Sequence, residues 1–322
     1  MATTSQQLVP FDEATRITRL DTYTYRANFS SAWCIGSVPN GGYVASVMLR
    51  VASLHLSGRG QTDTMSAHFE YPNRTEVGPA ILTVEEVKLG RTVSTLHITV
   101  HQNDLLPSAP WLGPGSRKNV LGYVMNSRIA LEQGVSVDSG WRMTPPPKPA
   151  DLALVGLDRD PHWSQKAKLR GRSASFQRAH NHLEWYVPRE GTRRGTADIW
   201  LRFKDGHRFT NASLGYVVDA HSAMLEDWRP KRDEEQTPFR SDDMFWYPTL
   251  ALNLEVKRAL PEEGAEWLFI RCTTKVVRNG RLDLDVIVLD REENVVALSN
   301  HVSMVLSAER NLKARSHSTP RI

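Results

Sequence analysis

Residues 33–56 read WCIGSVPNGGYVASVMLRVASLHL, and this stretch decides the fold. From Val44 onward apolar residues recur at steps of three and four, whereas Arg50 and His55 occupy the remaining face. Such spacing is typical of an amphipathic helix. We therefore predict a short strand, a glycine turn and then a long helix that the rest of the chain surrounds.

The turn that opens this helix supplies the first candidates for ligand binding. Gly41 and Gly42 lack side chains, so a ligand can approach backbone N–H groups that have no partner within the helix. The first turn is thus predicted to hold a carbonyl or an anion. Paired glycines also commonly do no more than turn the chain, and both interpretations stay open at this point.

The composition of the 322 residues is that of an ordinary globular protein, with 40% hydrophobic and 24% charged residues. The net charge is +4, but most lysines and arginines are spread along the chain. Nucleic-acid binding usually requires a concentrated basic face, so we expect no nucleic-acid partner. No run approaches the roughly eighteen apolar residues of a membrane span, and we expect none.

Cys34 and Cys272 are the two cysteines, which argues against a disulfide scaffold and against a cysteine metal site. The sequence has no phosphate-binding loop, no dinucleotide fingerprint and no Gly-x-Ser-x-Gly nucleophile motif. We therefore expect a cytoplasmic protein with reduced thiols, no metal and no cofactor.

Strand patterns follow the predicted helix at residues 64–71, 80–88 and 92–102. In the first of them apolar residues alternate with polar ones, a period of two that marks a half-buried strand. His68 lies on its polar side. It is a candidate for the binding cleft, although a hydrogen-bonded residue of the sheet is the commoner role.

The second half of the chain repeats this order. A run at 209–218 resembles a strand and is followed by a predicted helix at 219–228. Four further strands are predicted at residues 249–257, 267–277, 282–290 and 295–306. Turns of similar composition, VKLGR at 87–91 and VVRNGR at 276–281, precede corresponding strands. The repeat predicts an α+β fold of two similar halves.

The boundaries between these halves follow from composition. The stretch PPPKP at 145–149 marks an extended spacer. We expect an N-terminal half at residues 1–131, a linker at 132–178, a C-terminal half at 179–310 and a flexible tail at 311–322.

Three groups of residues resemble the acyl-CoA thioesterase II-like branch of the hotdog superfamily. They are Trp33 with PNGGY at 39–43, HFEYP at 68–72 with VGPA at 77–80, and DAH at 219–221 with Pro248-Thr249. The resemblance covers most of the chain apart from its ends and linker. It implies a double hotdog, in which two antiparallel sheets each wrap around a long helix and join as a pseudo-dimer within one chain.

In the family this chain resembles, an Asp, a Thr and a Gln activate the water that attacks a thioester carbonyl. The resemblance places these roles on Asp219, on Thr249 and on or near His301. The histidine departs from the family pattern, because an imidazole offers one hydrogen bond per nitrogen and can itself act as a base.

The resemblance also implies that the N–H of Gly42 or Tyr43 holds the oxyanion. The residues expected at the substrate or oxyanion are accordingly Asn40, Gly41, Gly42, Tyr43 and His68.

Each catalytic candidate also has a purely structural explanation. Asp219 precedes the second predicted helix and is a residue type that caps helices. Thr249 shares the polar side of its strand with Asn253 and is β-branched, which suits a strand. His301 lies among small residues of the last strand, and lone histidines are commonly structural.

Three functions remain open on the sequence. The first is hydrolysis of an acyl-CoA or carrier-bound acyl thioester, with Asp219, Thr249 and His301 around the water. The second, motivated by His301, is a hotdog lyase or isomerase that dehydrates or moves a proton on a polyketide- or terpenoid-like substrate. The third is a non-catalytic acyl or lipid binder in which Asp219 only caps a helix. A homo-oligomer is expected because sheet edges invite association.

Overall fold

The structure is a computed structural model that describes residues 9–166, 171–221, 224–228, 239–240 and 242–312. Its strands are β1 (Ile17–Arg19), β2 (Thr24–Phe29), β3 (Cys34–Ile35), β4 (Val38–Pro39), β5 (Asp63–Glu70), β6 (Gly78–Leu89), β7 (Ser94–Gln102), β8 (Arg117–Ser127), β9 (Trp163–Gln165), β10 (Leu183–Pro188), β11 (Thr196–Phe203), β12 (Phe245–Trp246), β13 (Thr249–Val256), β14 (Leu268–Thr273), β15 (Val277–Arg278), β16 (Arg281–Leu289), β17 (Val295–Met304) and β18 (Leu306–Ser307). Its α-helices are α1 (Phe11–Ala14), α2 (Gly41–His55), α3 (Leu152–Gly156), α4 (Gly171–Phe176), α5 (Leu214–Asp219) and α6 (Ala308–Leu312).

Most strands form one antiparallel sheet in the order β1-β2-β6-β7-β8-β5-β13-β17-β16-β14-β11-β10-β9, with β15 paired to β16. β5 and β13 meet at its middle, where His68 lies opposite Asn253. Outward from this pair, five further strands of the first half match five of the second half, and β9 extends the second half by one more strand. This arrangement confirms the predicted double hotdog, with the sheets of the two halves fused along one strand pair.

Helix α2 is the long helix predicted from the sequence, and the sheet wraps around it. From Gly42 to Ala52 every residue except Arg50 is buried. Asn40 caps its N-terminus, since the side-chain oxygen accepts the N–H of Tyr43 at 2.9 Å. The buried stripe of α2 therefore forms the core of the first half.

The second helix differs from its prediction. The helix predicted at 219–228 and the strand predicted at 209–218 are both wrong, because α5 occupies 214–219 and Asp219 ends it rather than capping its start. A 3₁₀ helix follows at Met224–Trp228, and residues 222–223 lie outside the described part.

The short helix α5 packs directly against α2. A Cβ added to Gly42 would lie only 2.4 Å from the carbonyl oxygen of Gly215, and the N–H of Tyr216 donates to Ser46 Oγ at 2.9 Å. This close packing overrides the strand preference of the β-branched residues in α5.

The segment between the two halves adds a strand to the sheet of the second half. β9 lies within it and pairs with β10, and its Trp163 joins a second apolar cluster with Trp200 and Phe269. Arg271 pairs with Asp198 in a buried ion pair, at 2.6 Å, and also donates to the carbonyl of Pro145. The boundaries of the linker and of the two halves stay a prediction.

Helix α6 packs against the loop before α2. Asn311 in α6 is buried, and its side-chain oxygen accepts the N–H of Ser37 at 2.9 Å. Residues 313–322 of the predicted tail lie outside the described part. None of the described helices is long and apolar enough to cross a membrane.

Candidate active site

Asp219 lies at the junction of the two halves, where α5 ends beside the first turn of α2. It is 7% exposed, and its carboxylate has two different sides. Oδ2 accepts hydrogen bonds from the Asn40 side-chain amide and from the Gly42 N–H, both at 2.8 Å. The N-terminus of α2 thus fixes the orientation of the carboxylate.

The other oxygen, Oδ1, faces three side chains from the second half. Thr249 Oγ1 donates to it at 3.2 Å. His301 Nδ1 lies 3.7 Å away and His221 Nε2 lies 3.9 Å away. The three candidates predicted from the sequence, Asp219, Thr249 and His301, are therefore brought together around one carboxylate oxygen.

Thr249 reaches the site because of a β-bulge that the sequence prediction lacked. The register of β13 against β17 shifts between Thr249 and Ala251. Asn253 remains on the outer face with His68, whereas Thr249 turns inward to Asp219. The prediction that Thr249 shares one side of its strand with Asn253 is wrong for this reason.

Burial dominates the electrostatics of the site. It raises the pKa of Asp219, while the charge of His221 and the hydrogen bonds from Gly42, Thr249 and Asn40 oppose the rise. Burial, followed by the charge of His221, lowers the pKa of His301. A carboxyl with a raised pKa is suited to accepting a proton, whereas the imidazole of His301, with its pKa lowered to about 3, stays neutral and can offer a lone pair.

The predicted oxyanion donors are engaged within the protein. The Gly42 N–H donates to Asp219 and the Tyr43 N–H donates to Asn40. An oxyanion role for either would require an exchange of these bonds, and it stays a prediction. Gly41 lies beside the carboxylate, since a Cβ there would sit 3.4 Å from Asp219 Oδ2.

His68 is not brought to the cluster. It lies on the outer face of β5, where its Nδ1 is 2.6 Å from the Asn253 side-chain oxygen. Its neighbours Ala67 and Phe69 point inward and are buried. The alternation of β5 therefore places the imidazole on the opposite side of the sheet from Asp219.

Two residues at the site were not predicted. His221 appeared in the DAH motif, but its contact with Asp219 across two residues was not foreseen because the chain there was expected to be helical. Tyr71 donates to the carbonyl of Gly41 at 2.9 Å. Burial, with a contribution from Asp219, raises the pKa of its phenol well above the ordinary value.

The corresponding place in the first half carries different residues. Counting from the central pair of His68 and Asn253, Thr64 matches Thr249, and β5 has a bulge at the same point. By the same count on the neighbouring strand, Val124 occupies the position of His301. Ser46 occupies the position of Asp219, because each lies four residues after the glycine at which α2 and α5 touch each other. The first half therefore has no acid or imidazole at this place.

Asp219, His221 and His301 also form a cluster whose ligand atoms lie within 4.8 Å of one another. In a tetrahedral zinc site, bonds of about 2.0–2.1 Å place the ligand atoms roughly 3.3 Å apart. The separations of 3.7 and 3.9 Å are wider than this, so we do not assign a metal site to the cluster.

Comparisons with known proteins agree with this fold. Residues 144–305 match the family model of the acyl-CoA thioesterase C-terminal domain, and residues 29–112 match that of the N-terminal domain. The chain belongs to the acyl-CoA thioesterase family, which supports thioester hydrolase activity.

A thioesterase-like protein of Talaromyces wortmannii, TwmA, is 42% identical over 333 residues, which cover 96% of this chain and 95% of that protein. A hot dog fold protein of Alicyclobacillus acidocaldarius has a TM-score of 0.70 at 13% identity, covering 92% of this chain and 98% of its own. An acyl-CoA thioesterase II from Mycobacterium marinum has a TM-score of 0.60 at 16% identity, with the same coverage of 92% and 98%. The two structures support the fold.

Proposed function

We propose that this protein hydrolyses the thioester of an acyl-CoA or of a carrier-bound acyl group. The observation that carries the proposal is the carboxylate of Asp219. One oxygen is held by Asn40 and Gly42, and the other faces Thr249 and His301. A base held in this way can take a proton from water, as general-base catalysis requires.

In the proposed reaction a water molecule lies beside Asp219 Oδ1. Its oxygen bonds to the thioester carbonyl carbon as its proton passes to the site. Thr249 and His301 hold the water in position from the second half. The carbon–sulfur bond then breaks, and the thiolate leaves with a proton returned by the site. The products are a carboxylic acid and a free thiol.

Thiol release from a panel of acyl-CoAs of different chain length tests this proposal. Asp219→Asn is expected to lower the rate by about a hundred- to ten-thousandfold, the usual contribution of a positioned general base. Glu255→Gln is the matched control, because Glu255 is an exposed carboxylate on the same strand as Thr249. Full turnover in Asp219→Asn would remove Asp219 from the mechanism.

A lyase or isomerase reaction is the second candidate, and the imidazole of His301 beside a buried acid supports it. Such a reaction on a polyketide- or terpenoid-like substrate gives a new absorbing product without thiol release. His301→Gln separates the two candidates. Glutamine is the residue expected at this place in the related hydrolases and can still hold the water, so a hydrolase that retains Asp219 keeps measurable thiol release, whereas a reaction that needs the imidazole is lost.

A non-catalytic acyl binder predicts a third outcome, in which acyl-CoA raises the melting temperature but no product forms. That result would overturn both catalytic candidates. We also propose a homo-oligomer located in the cytoplasm. Light scattering of the purified protein tests the first statement, and localisation of the full chain in its host cell tests the second.

A further inference from the structure

Ser299 contacts His301 from two residues earlier on the same face of β17. Its Oγ lies 3.0 Å from His301 Nε2 and donates to the backbone carbonyl of Asn253. A serine hydroxyl has one proton, and a carbonyl can only accept. Since that proton is used on Asn253, Ser299 Oγ must accept a hydrogen bond from the imidazole. His301 therefore carries its proton on Nε2.

The other ring nitrogen is then left with a lone pair. Nδ1 of His301 is buried and has no hydrogen-bond partner among the described residues. It lies 3.7 Å from Asp219 Oδ1, which is also an acceptor when the carboxyl is ionised. Two acceptors that face each other in a buried site repel, and a proton between them relieves the repulsion.

We propose that Ser299 is a positioning residue that holds His301 in the Nε2–H tautomer, so that Asp219 and His301 take up one proton between them and act as a single base. This inference rests on the proposed hydrolysis. When the water oxygen bonds to the thioester carbon, the pair receives the water's proton. When the carbon–sulfur bond breaks, the same proton passes to the departing thiolate, and the pair returns to its starting state.

Other titratable groups interact electrostatically with Asp219 or with His221. Burial raises the pKa values of the Tyr71 and Tyr216 phenols and of the Cys272 thiol, which keeps all three neutral at ordinary pH. Burial lowers the pKa of His180 to about 3, so this imidazole is neutral as well. Among the described residues, His221 is thus the remaining group whose charge acts on the pair.

The effect of Ser299 on proton uptake has a definite sign. With the lone pair of Nδ1 facing Oδ1, a protonated Asp219 gains a hydrogen bond, which favours the neutral acid. Without the hydroxyl, the ring can place its proton on Nδ1 and donate to the carboxylate, which favours the ionised form. Loss of Ser299 is therefore expected to move proton uptake by the pair to lower pH.

The matched control comes from the first half of the chain. Thr83 Oγ1 lies 3.1 Å from His101 Nε2, which is a second hydroxyl–imidazole contact remote from Asp219. Thr83→Val removes that hydroxyl at nearly constant volume. It is expected to leave both His301 and the pH dependence of turnover unchanged.

Nitrogen NMR of the histidine rings in the full chain tests the inference without substrate. The wild type is expected to show His301 as the Nε2–H tautomer, and Ser299→Ala is expected to show a larger share of the Nδ1–H form. The acidic limb of the kcat/KM profile should move down by roughly one pH unit in Ser299→Ala. The same shift should appear in the His221→Asn background.

A wild-type His301 that carries its proton on Nδ1 would overturn the inference, even if Ser299→Ala fails to fold. An unchanged tautomer and an unmoved acidic limb in a folded Ser299→Ala would do the same. If no thiol is released from any substrate, the hydrolysis proposal fails, while the NMR titration still reports whether the pair takes up one proton.

Discussion

Asn40 is the residue on which the orientation of the catalytic candidate depends most directly. Its side-chain oxygen caps α2 through Tyr43, and its amide nitrogen donates to Asp219 Oδ2. An amide can do both because it offers an acceptor and a donor on one group. An ionised aspartate would cap the helix equally well but has no proton to donate in the second bond.

Asn40→Asp is therefore expected to preserve the helix and impair the site. A second carboxylate facing Asp219 raises the pKa of Asp219, because like charges disfavour ionisation. We expect at least about a tenfold loss of kcat/KM at neutral pH, with the acidic limb moved upward by one pH unit or more. Asn40→Ser caps without added charge and should leave the limb nearer its wild-type position. An unmoved profile in Asn40→Asp would contradict the assigned contact.

The burial of Asp219 also has a consequence for stability. An acid whose pKa is raised on folding binds its proton more tightly in the folded state. This tighter proton binding contributes fully to the free energy of unfolding below the unfolded-state pKa near 3.8. The contribution is lost as the pH rises through the folded-state pKa. Above the folded-state pKa, each unit by which the pKa is raised lowers the free energy of unfolding by about 1.4 kcal/mol.

Asp219→Asn removes this cost while its amide oxygen can still accept from Gly42 and Asn40. We expect a higher melting temperature than the wild type at neutral pH, with the gain shrinking as the pH falls. Calorimetric scans of both proteins across the acidic and neutral range measure the difference. A variant less stable than the wild type at neutral pH would show that the ionised carboxylate is stabilising.

At the scale of elements, α2 and most strands can be predicted because their local sequence patterns are sufficient to specify them. The spacing of apolar residues in α2 and the alternation in β5 both match the observed burial. α5 is different. Its valines and Tyr216 suit a strand, and only the contact with α2 makes this run helical, so information from the other half of the chain is required.

The sequence predicts the residues of the candidate site but not their geometry. The family motif places Asp219, Thr249 and His301 correctly near one another. The bulge that turns Thr249 inward depends on pairing with β17, and the contact of Asp219 with Gly42 joins elements far apart in sequence. Neither follows from local patterns, since both arise only when the two halves pack.

The packing of α2 on α5 requires glycine at one position. A Cβ on Gly42 would lie 2.4 Å from the Gly215 carbonyl oxygen and 2.5 Å from Asp219 Cβ. Gly42→Ala is expected to cost about 1–3 kcal/mol of the free energy of unfolding, as overpacking does, and to displace Asp219. Urea unfolding and thiol release measure the two effects. Gly58→Ala is the control, because its Cβ would meet no atom within 4 Å.

At the scale of the molecule, the two halves have matching packing contacts but different residues at the position of the candidate site. The tyrosines at matching places in the two helices, Tyr43 and Tyr216, both donate to the carbonyl of an alanine, at 2.7 and 2.8 Å. In contrast, Ser46 takes the place of Asp219, and Val124 takes the place of His301. The first half has kept the packing contacts of the repeat and lacks its proton acceptors.

The whole chain is therefore expected to have one catalytic site. If both halves hydrolysed substrate, loss of Asp219 would leave about half of the activity, whereas a single base predicts a loss of at least about a hundredfold. Ser46→Ala tests the other half. It removes the acceptor for Tyr216 and should lower the free energy of unfolding by about 1 kcal/mol, with little change in kcat. Residual activity near half in Asp219→Asn, abolished by adding Ser46→Ala, would instead show that the serine half also turns over substrate.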